Sequence, residues 1–140
     1  MIRLTLAQRL TDSRNGVSMA WVGGGEDEAR VRKHLENMNL AIKTEVTGWL
    51  PADQARRRLA GLDLFVHFSR WDAFPNAVLE AMAAGVPVVA SDIPGNRDVL
   101  GDAGLLVGGE VELLEACQRR RVASQRMRAR KGAFRLMPAP

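Results

Sequence analysis

Along the chain, short runs of apolar and β-branched residues alternate with longer amphipathic stretches, and this predicts strands and helices in turn. Residues 19–22 are apolar and stop at Gly23, Gly24 and Gly25. From about 26 to 38, Ala29, Val31, His34, Leu35 and Met38 recur near helical spacing, with acids early and bases late, the order the helix dipole favours. Residues 42–47 read as a strand broken by Gly48, Trp49, Leu50 and Pro51, and a helix opens at Pro51 and runs to about 59. The clearest strand covers 63–68. An alanine-rich helix over 76–84 ends at Gly85, and a buried-type strand covers 87–91. A helical turn at 96–100, a strand at 104–107 and a helix from about 110 complete the series, with a further helix expected at 4–10. The order predicts an α/β fold with an open, mainly parallel Rossmann-like sheet and helices on both faces. Such sheets bind ligands at the carboxyl ends of their strands, which nominates the loops at 23–25, 48–51, 69–76 and 92–96.

Composition narrows the class. A length of 140 residues fits one domain, and 46% hydrophobic against 26% charged residues excludes wholesale disorder. No apolar run reaches the roughly 18 residues of a membrane span, and the first ten residues hold no signal-like stretch, so a cytoplasmic protein is expected. The lone Cys117 excludes an internal disulfide framework and a cysteine zinc site. The net charge of +4 is misleading as an average. All 16 acids lie in residues 1–115, whereas residues 116–140 carry seven arginines and Lys131 with no acid. The chain therefore divides into an acidic body, 1–115, and a basic C-terminal helix or tail, 116–140. The basic end reads as a solvated helix, or as a contact with anionic lipid at the inner membrane face. Nucleic acid is disfavoured as a partner, because Phe134 alone offers a stacking surface there.

The candidate chemistry lies in two segments. Glycines after a strand, as in VGGGEDE, allow a backbone to approach a phosphate, but Glu28 stands where a dinucleotide fingerprint needs its third glycine, and no P-loop lysine follows. The second segment, SRWDAFPNAVLE, places Asp72 in a loop, Pro75 near a helix start and Glu80 one to two turns further on. Unpaired N–H groups at a helix start suit a phosphate, and flanking carboxylates suit hydroxyl groups, so a sugar or ribose on either side of a diphosphate fits. The competing reading has Asp72 capping its loop and Glu80 solvated. The apolar sequence after Glu80 favours a partly buried, hydrogen-bonded carboxylate. His67 reads as packed or hydrogen-bonded, and two distant histidines with no Asp-x-Asp motif imply no metal and no other cofactor.

The run WDAFPNAVLEAMAAGVPVVASDIPGNRDVLGDAGLLV resembles the signature of the group-1 (family 4) retaining glycosyltransferases, built of two Rossmann-like domains in the GT-B fold. WVGGGEDE, VTGWLP and LAGLDLFVHFS are similar to that family's upstream pieces in the same order, so the resemblance spans about residues 20–107. It implies the C-terminal, donor-binding domain of an enzyme that transfers a hexose from a nucleotide-diphosphate sugar to a saccharide or lipid-linked acceptor. By this resemblance Asp72 is the catalytic acid holding donor-sugar hydroxyls. Gly23, Gly24, Gly25, Ala73, Phe74, Pro75, Asn76 and Ala77 meet the sugar and phosphates. Gly48, Trp49, Leu50 and Glu80 bind the nucleotide, Glu80 through the ribose, and Trp49 either stacks on the base or packs inward.

Three departures from the family pattern carry expectations. Asp72 is one methylene shorter than the usual glutamate, and Ala73 and Asn76 replace glycines, narrowing the room for backbone approach. The N-terminal Rossmann-like domain and its basic pair, which would neutralise the leaving diphosphate, have no match in the chain. Weak donor binding and little or no transfer by the chain alone are expected. A nucleotide-sugar-binding module without turnover and a basic interaction protein on an α/β scaffold are the rival readings.

Overall fold

A computed structural model of the chain describes residues 18–38, 44–109, 111–117 and 119. The expected helix at 4–10 and the arginine run beyond 119 lie outside the described residues. In order, the elements are β1 (Met19–Trp21), α1 (Glu28–Asn37), β2 (Thr44–Val46), α2 (Ala52–Ala60), β3 (Phe65–His67), α3 (Asn76–Ala83), β4 (Val88–Ser91), α4 (Pro94–Leu100) and β5 (Leu105–Val107). Residues 111–117 are helical. The expected helical turn at 96–100 begins two residues earlier, at Pro94, whose missing N–H costs nothing in a first turn.

Among the described residues every strand pairing is parallel, joined through a helix, as the alternation requires. Among the described residues the strands form two hydrogen-bonded sheets, β1–β2 and β3–β4–β5, where one continuous sheet was expected. β4 is the central strand of the larger sheet and all four of its residues are buried.

Alternation along β4 divides the core between two faces. Val88 and Ala90 pack with Val78 and Ala81 of α3, Val86 and Leu100, and Phe65 leans on the same cluster. Val89 points the other way, to Val107, Leu113, Ala116 and Cys117, with Val66 and Phe68 against them. Helices therefore cover both faces of this sheet. Ala116 and Cys117, assigned above to the basic end, are core residues, so the boundary at 115 cuts through a packed helix. A smaller cluster joins Leu35 of α1 to Met19, Val31, Met38 and Val46.

Burial pushes the Cys117 thiol up to about 11, so the thiolate that reacts with electrophiles is scarce at neutral pH. Native protein is expected to resist iodoacetamide at pH 7.5 while urea-unfolded protein is alkylated fully. Mass spectrometry of the two samples checks this, and equal labelling would contradict the packing of the helix at 111–117. Among the described residues no helix is long and apolar enough to cross a membrane.

Candidate functional site

The four nominated loops all leave the carboxyl ends of parallel strands, and the structure gathers their residues into two groups. In the first, Gly23 and Gly48 form an antiparallel bridge between the loops that follow β1 and β2. Thr47 fastens it: its hydroxyl accepts from the Gly23 N–H at 3.1 Å and donates to the Gly48 carbonyl at 2.9 Å. Gly24 is needed for space. A Cβ there would stand 2.8 Å from the backbone nitrogen of Trp49 and 2.9 Å from Glu28 Oε2. Trp49 is 81% exposed, which removes its inward-packing alternative, and Leu50 is half-buried.

Glu28, noted in the sequence only for breaking a fingerprint, belongs to this group. Its Oε1 accepts two hydrogen bonds from Arg32, at 3.0 and 2.8 Å, and Arg32 also donates to the Val46 carbonyl at 2.8 Å. The carboxylate is thereby held beside Gly24 and Gly48. The one-turn spacing of Glu28 and Arg32 on a helix was the available signal.

The second group surrounds the start of α3. Asp72 Oδ1 accepts from the Phe74 N–H at 3.1 Å, a turn that closes the loop on itself. His67 Nε2, at the end of β3, lies 3.3 Å from Asp72 Oδ2. It is buried, and the contact lacks the alignment of a hydrogen bond. The loop-capping role weighed against a sugar-binding one is thus present for Asp72. One of a carboxylate's roughly four lone-pair sites is engaged in this way, and the side chain remains 31% exposed, so capacity for other donors is left.

Fewer N–H groups are free at the start of α3 than the expected phosphate contacts would use. Pro75 has no N–H and is fully buried, and the Phe74 N–H is already satisfied by Asp72. Val78 and Leu79 donate to the Pro75 carbonyl. The N–H groups of Asn76 and Ala77, in the first turn of α3, have no acceptor among the described residues. Ala73, Phe74, Asn76 and Ala77 are all exposed.

Glu80 corrects an expectation. It is exposed and its side chain has no hydrogen bond among the described residues, where partial burial was expected from its apolar neighbours in sequence. Helical phase explains the difference. Val78 and Ala81 carry the buried stripe of α3, and a residue between them at 100° per step falls outside it.

The loop after β4 braces the second group from behind. Ser91 Oγ donates to the Ser69 carbonyl at 2.7 Å and accepts from the Ser69 N–H at 3.0 Å and from Asn96 Nδ2 at 3.2 Å, which uses its full capacity. Gly95 is buried, and a Cβ on it would overlap the carbonyl oxygen of Asp72 and stand 3.1 Å from the Ala73 carbonyl carbon. Arg97 grips Asp92 through both carboxylate oxygens, at 2.5 and 3.0 Å. Its hydrogen bonding, aided by its charge and partly opposed by burial, holds Asp92 below the ordinary aspartate value. Among the described residues no cluster of three or more His, Cys, Asp or Glu could hold a metal ion.

Comparison with known proteins converges on one family. The profile of the glycosyl transferases group 1 matches residues 3–131. A 2-deoxystreptamine N-acetyl-D-glucosaminyltransferase of Streptomyces fradiae is 35% identical over 86 residues, covering 61% of this chain and 20% of the relative. The lipopolysaccharide core biosynthesis glycosyltransferase LpsE of Rhizobium meliloti is 30% identical over 118 residues, 82% of this chain and 34% of the relative. The crystal structure of TarM superposes with a TM-score of 0.71 at 25% identity, covering 80% of this chain and 23% of that one. The chain thus spans between a fifth and about a third of the length of these relatives. With the profile covering nearly its whole length, the chain belongs to the group 1 glycosyl transferases.

Proposed function

We propose that this chain is the donor-binding domain of a retaining glycosyltransferase that moves a hexose from a nucleotide-diphosphate sugar to a saccharide or lipid-linked acceptor. The observation that carries the reading is the start of α3. Two unpaired N–H groups, on Asn76 and Ala77, sit between a carboxylate held in place at Asp72 and a free one at Glu80. A diphosphate takes the N–H groups, the sugar hydroxyls donate to Asp72, and the ribose hydroxyls donate to Glu80. The exposed indole of Trp49 offers its face to the base, beside the glycine turn at 23–25. The relatives named for N-acetyl-D-glucosaminyl transfer and for lipopolysaccharide core biosynthesis support a saccharide acceptor.

In the transfer, the bond from the sugar C1 to the phosphate oxygen breaks and its electron pair leaves on the nucleoside diphosphate. The acceptor oxygen forms the new bond to C1 and gives its proton to the departing phosphate. Negative charge grows on the diphosphate as this happens. Two backbone N–H groups are a small share of the stabilisation that charge requires, so the remaining cations come from a second domain, and this chain alone binds donor without turning it over. No metal or other cofactor enters the proposal.

Glu80→Ala tests the assignment. Loss of a charge-assisted hydrogen bond of about 1.5–3 kcal/mol is expected to weaken the binding of UDP, GDP or ADP, whichever the wild type prefers, by roughly tenfold or more. The same exposure that leaves Glu80 free means that folding is expected to be unchanged. Isothermal titration of both proteins decides the matter, and equal affinity would remove Glu80 from the site.

A further inference from the structure

We infer that His67 is a positioning residue for Asp72: its ring N–H fixes one oxygen of the carboxylate, so that the remaining lone pairs are held for the hydroxyls of the donor sugar. What Asp72 holds rests on the donor-site reading above, whereas the contact between the two side chains does not.

His67 ends β3, and strand alternation puts it on the same face as Phe65, on which its ring stacks at 6.4 Å with an interplanar angle of 14°. The stack sets the plane of the imidazole. Nε2 is buried and has no aligned hydrogen-bond partner, yet Asp72 Oδ2 stands 3.3 Å away, within reach but out of line. A small rotation of the Asp72 side chain brings the pair into line and satisfies an atom that is otherwise costly to bury. The other oxygen, Oδ1, is already held by the Phe74 N–H at 3.1 Å. With both oxygens engaged, the carboxylate cannot turn freely about its last bond, which is the condition for holding a sugar hydroxyl in one place.

The contact also dictates the state of the ring. Nε2 must carry a proton, as the neutral Nε2–H tautomer or as imidazolium, because the opposite tautomer sets two lone pairs against each other. A residue that merely fills space between β3 and the loop would need no such proton. Leucine would serve that purpose as well.

The test has two arms on the full chain. In the first, the ring nitrogens of His67 are observed by 15N NMR without ligand, in wild type and in Asp72→Asn. A protonated Nε2 whose shift moves in Asp72→Asn is expected, and shifts indifferent to the substitution overturn the contact. In the second, wild type, His67→Gln and His67→Leu are titrated with UDP, GDP and ADP and with UDP-glucose, GDP-mannose and ADP-glucose. The ratio of Kd for the preferred nucleotide to Kd for its sugar ester is expected to fall about two- to tenfold in His67→Leu. In His67→Gln, whose amide supplies an N–H near the same point, the ratio stays near wild type, and the bare nucleotides bind all three proteins alike. An unchanged ratio in His67→Leu, or an equal fall in both variants, overturns the positioning role and leaves the donor site standing. Failure of wild type to bind any of the six compounds overturns the donor site itself, and the role of His67 with it.

Discussion

Gly95→Ala is expected to destabilise the chain by about 1–3 kcal/mol, the range for forcing an extra methyl into a packed site. The sign is the informative part. Gly95 lies within the helix Pro94–Leu100, where exchanging glycine for alanine ordinarily gains up to about 1 kcal/mol of helix propensity. Here the added Cβ would overlap the Asp72 carbonyl oxygen and press on the Ala73 carbonyl. Both obstacles are backbone, so no side chain can swing aside. Either α4 or the loop at 72–73 must move, and Ser91, hydrogen-bonded to both Ser69 and Asn96, resists their separation. Urea denaturation compares the two proteins, and a midpoint equal to or above that of the wild type would mean that α4 does not back the Asp72 loop. Because the displaced segment leads into α3, nucleotide affinity is expected to fall along with stability.

Leu113→Ala is expected to cost more, about 2–5 kcal/mol, the range for truncating a leucine in a core that cannot collapse around the void. Leu113 is 0% exposed and lies against Val89 of the central strand, Val107 and Cys117. It belongs to the helix at 111–117, which supplies Leu113, Ala116 and Cys117 to the buried cluster on that face of the larger sheet. Thermal unfolding followed by circular dichroism measures the loss. A change under 1 kcal/mol would show that this helix is not part of the packed core.

The elements themselves were legible because each is a local pattern. The strand at 87–91 is a run of apolar residues closed by turns, and Gly85, at φ +70°, ends α3 where the sequence placed the stop. The α/β alternation and the parallel pairing followed from these. What was not legible depends on residues distant in sequence meeting in space. Gly95 against Asp72, and Ser91 against Ser69, join segments some twenty residues apart, and no periodicity announces them. The exposure of Glu80 was misjudged for the opposite reason. It was inferred from neighbours along the chain, when the relevant neighbours are those at helical spacing. Asp72 lay between these cases: its position and its capping of its own loop were readable, but not that its other oxygen faces His67.

The proposed function makes the start of α3 a site that binds donor but needs a partner domain for transfer. In the proposed reading its backbone donors and carboxylates hold a nucleotide sugar, while the cations that draw off the leaving diphosphate come from a second domain. A domain of this kind is expected to show binding in isolation and turnover only in company. The most direct measurement is a 1H–15N NMR titration of the 15N-labelled chain with UDP-glucose, GDP-mannose and ADP-glucose. For the preferred donor, the largest shifts are predicted at the N–H groups of Asn76 and Ala77, with smaller ones at Glu80, Gly24, Gly48 and Trp49, and none at the amino ends of β3 and β4. Shifts confined to other surfaces, or none with any donor at millimolar concentration, would contradict the account.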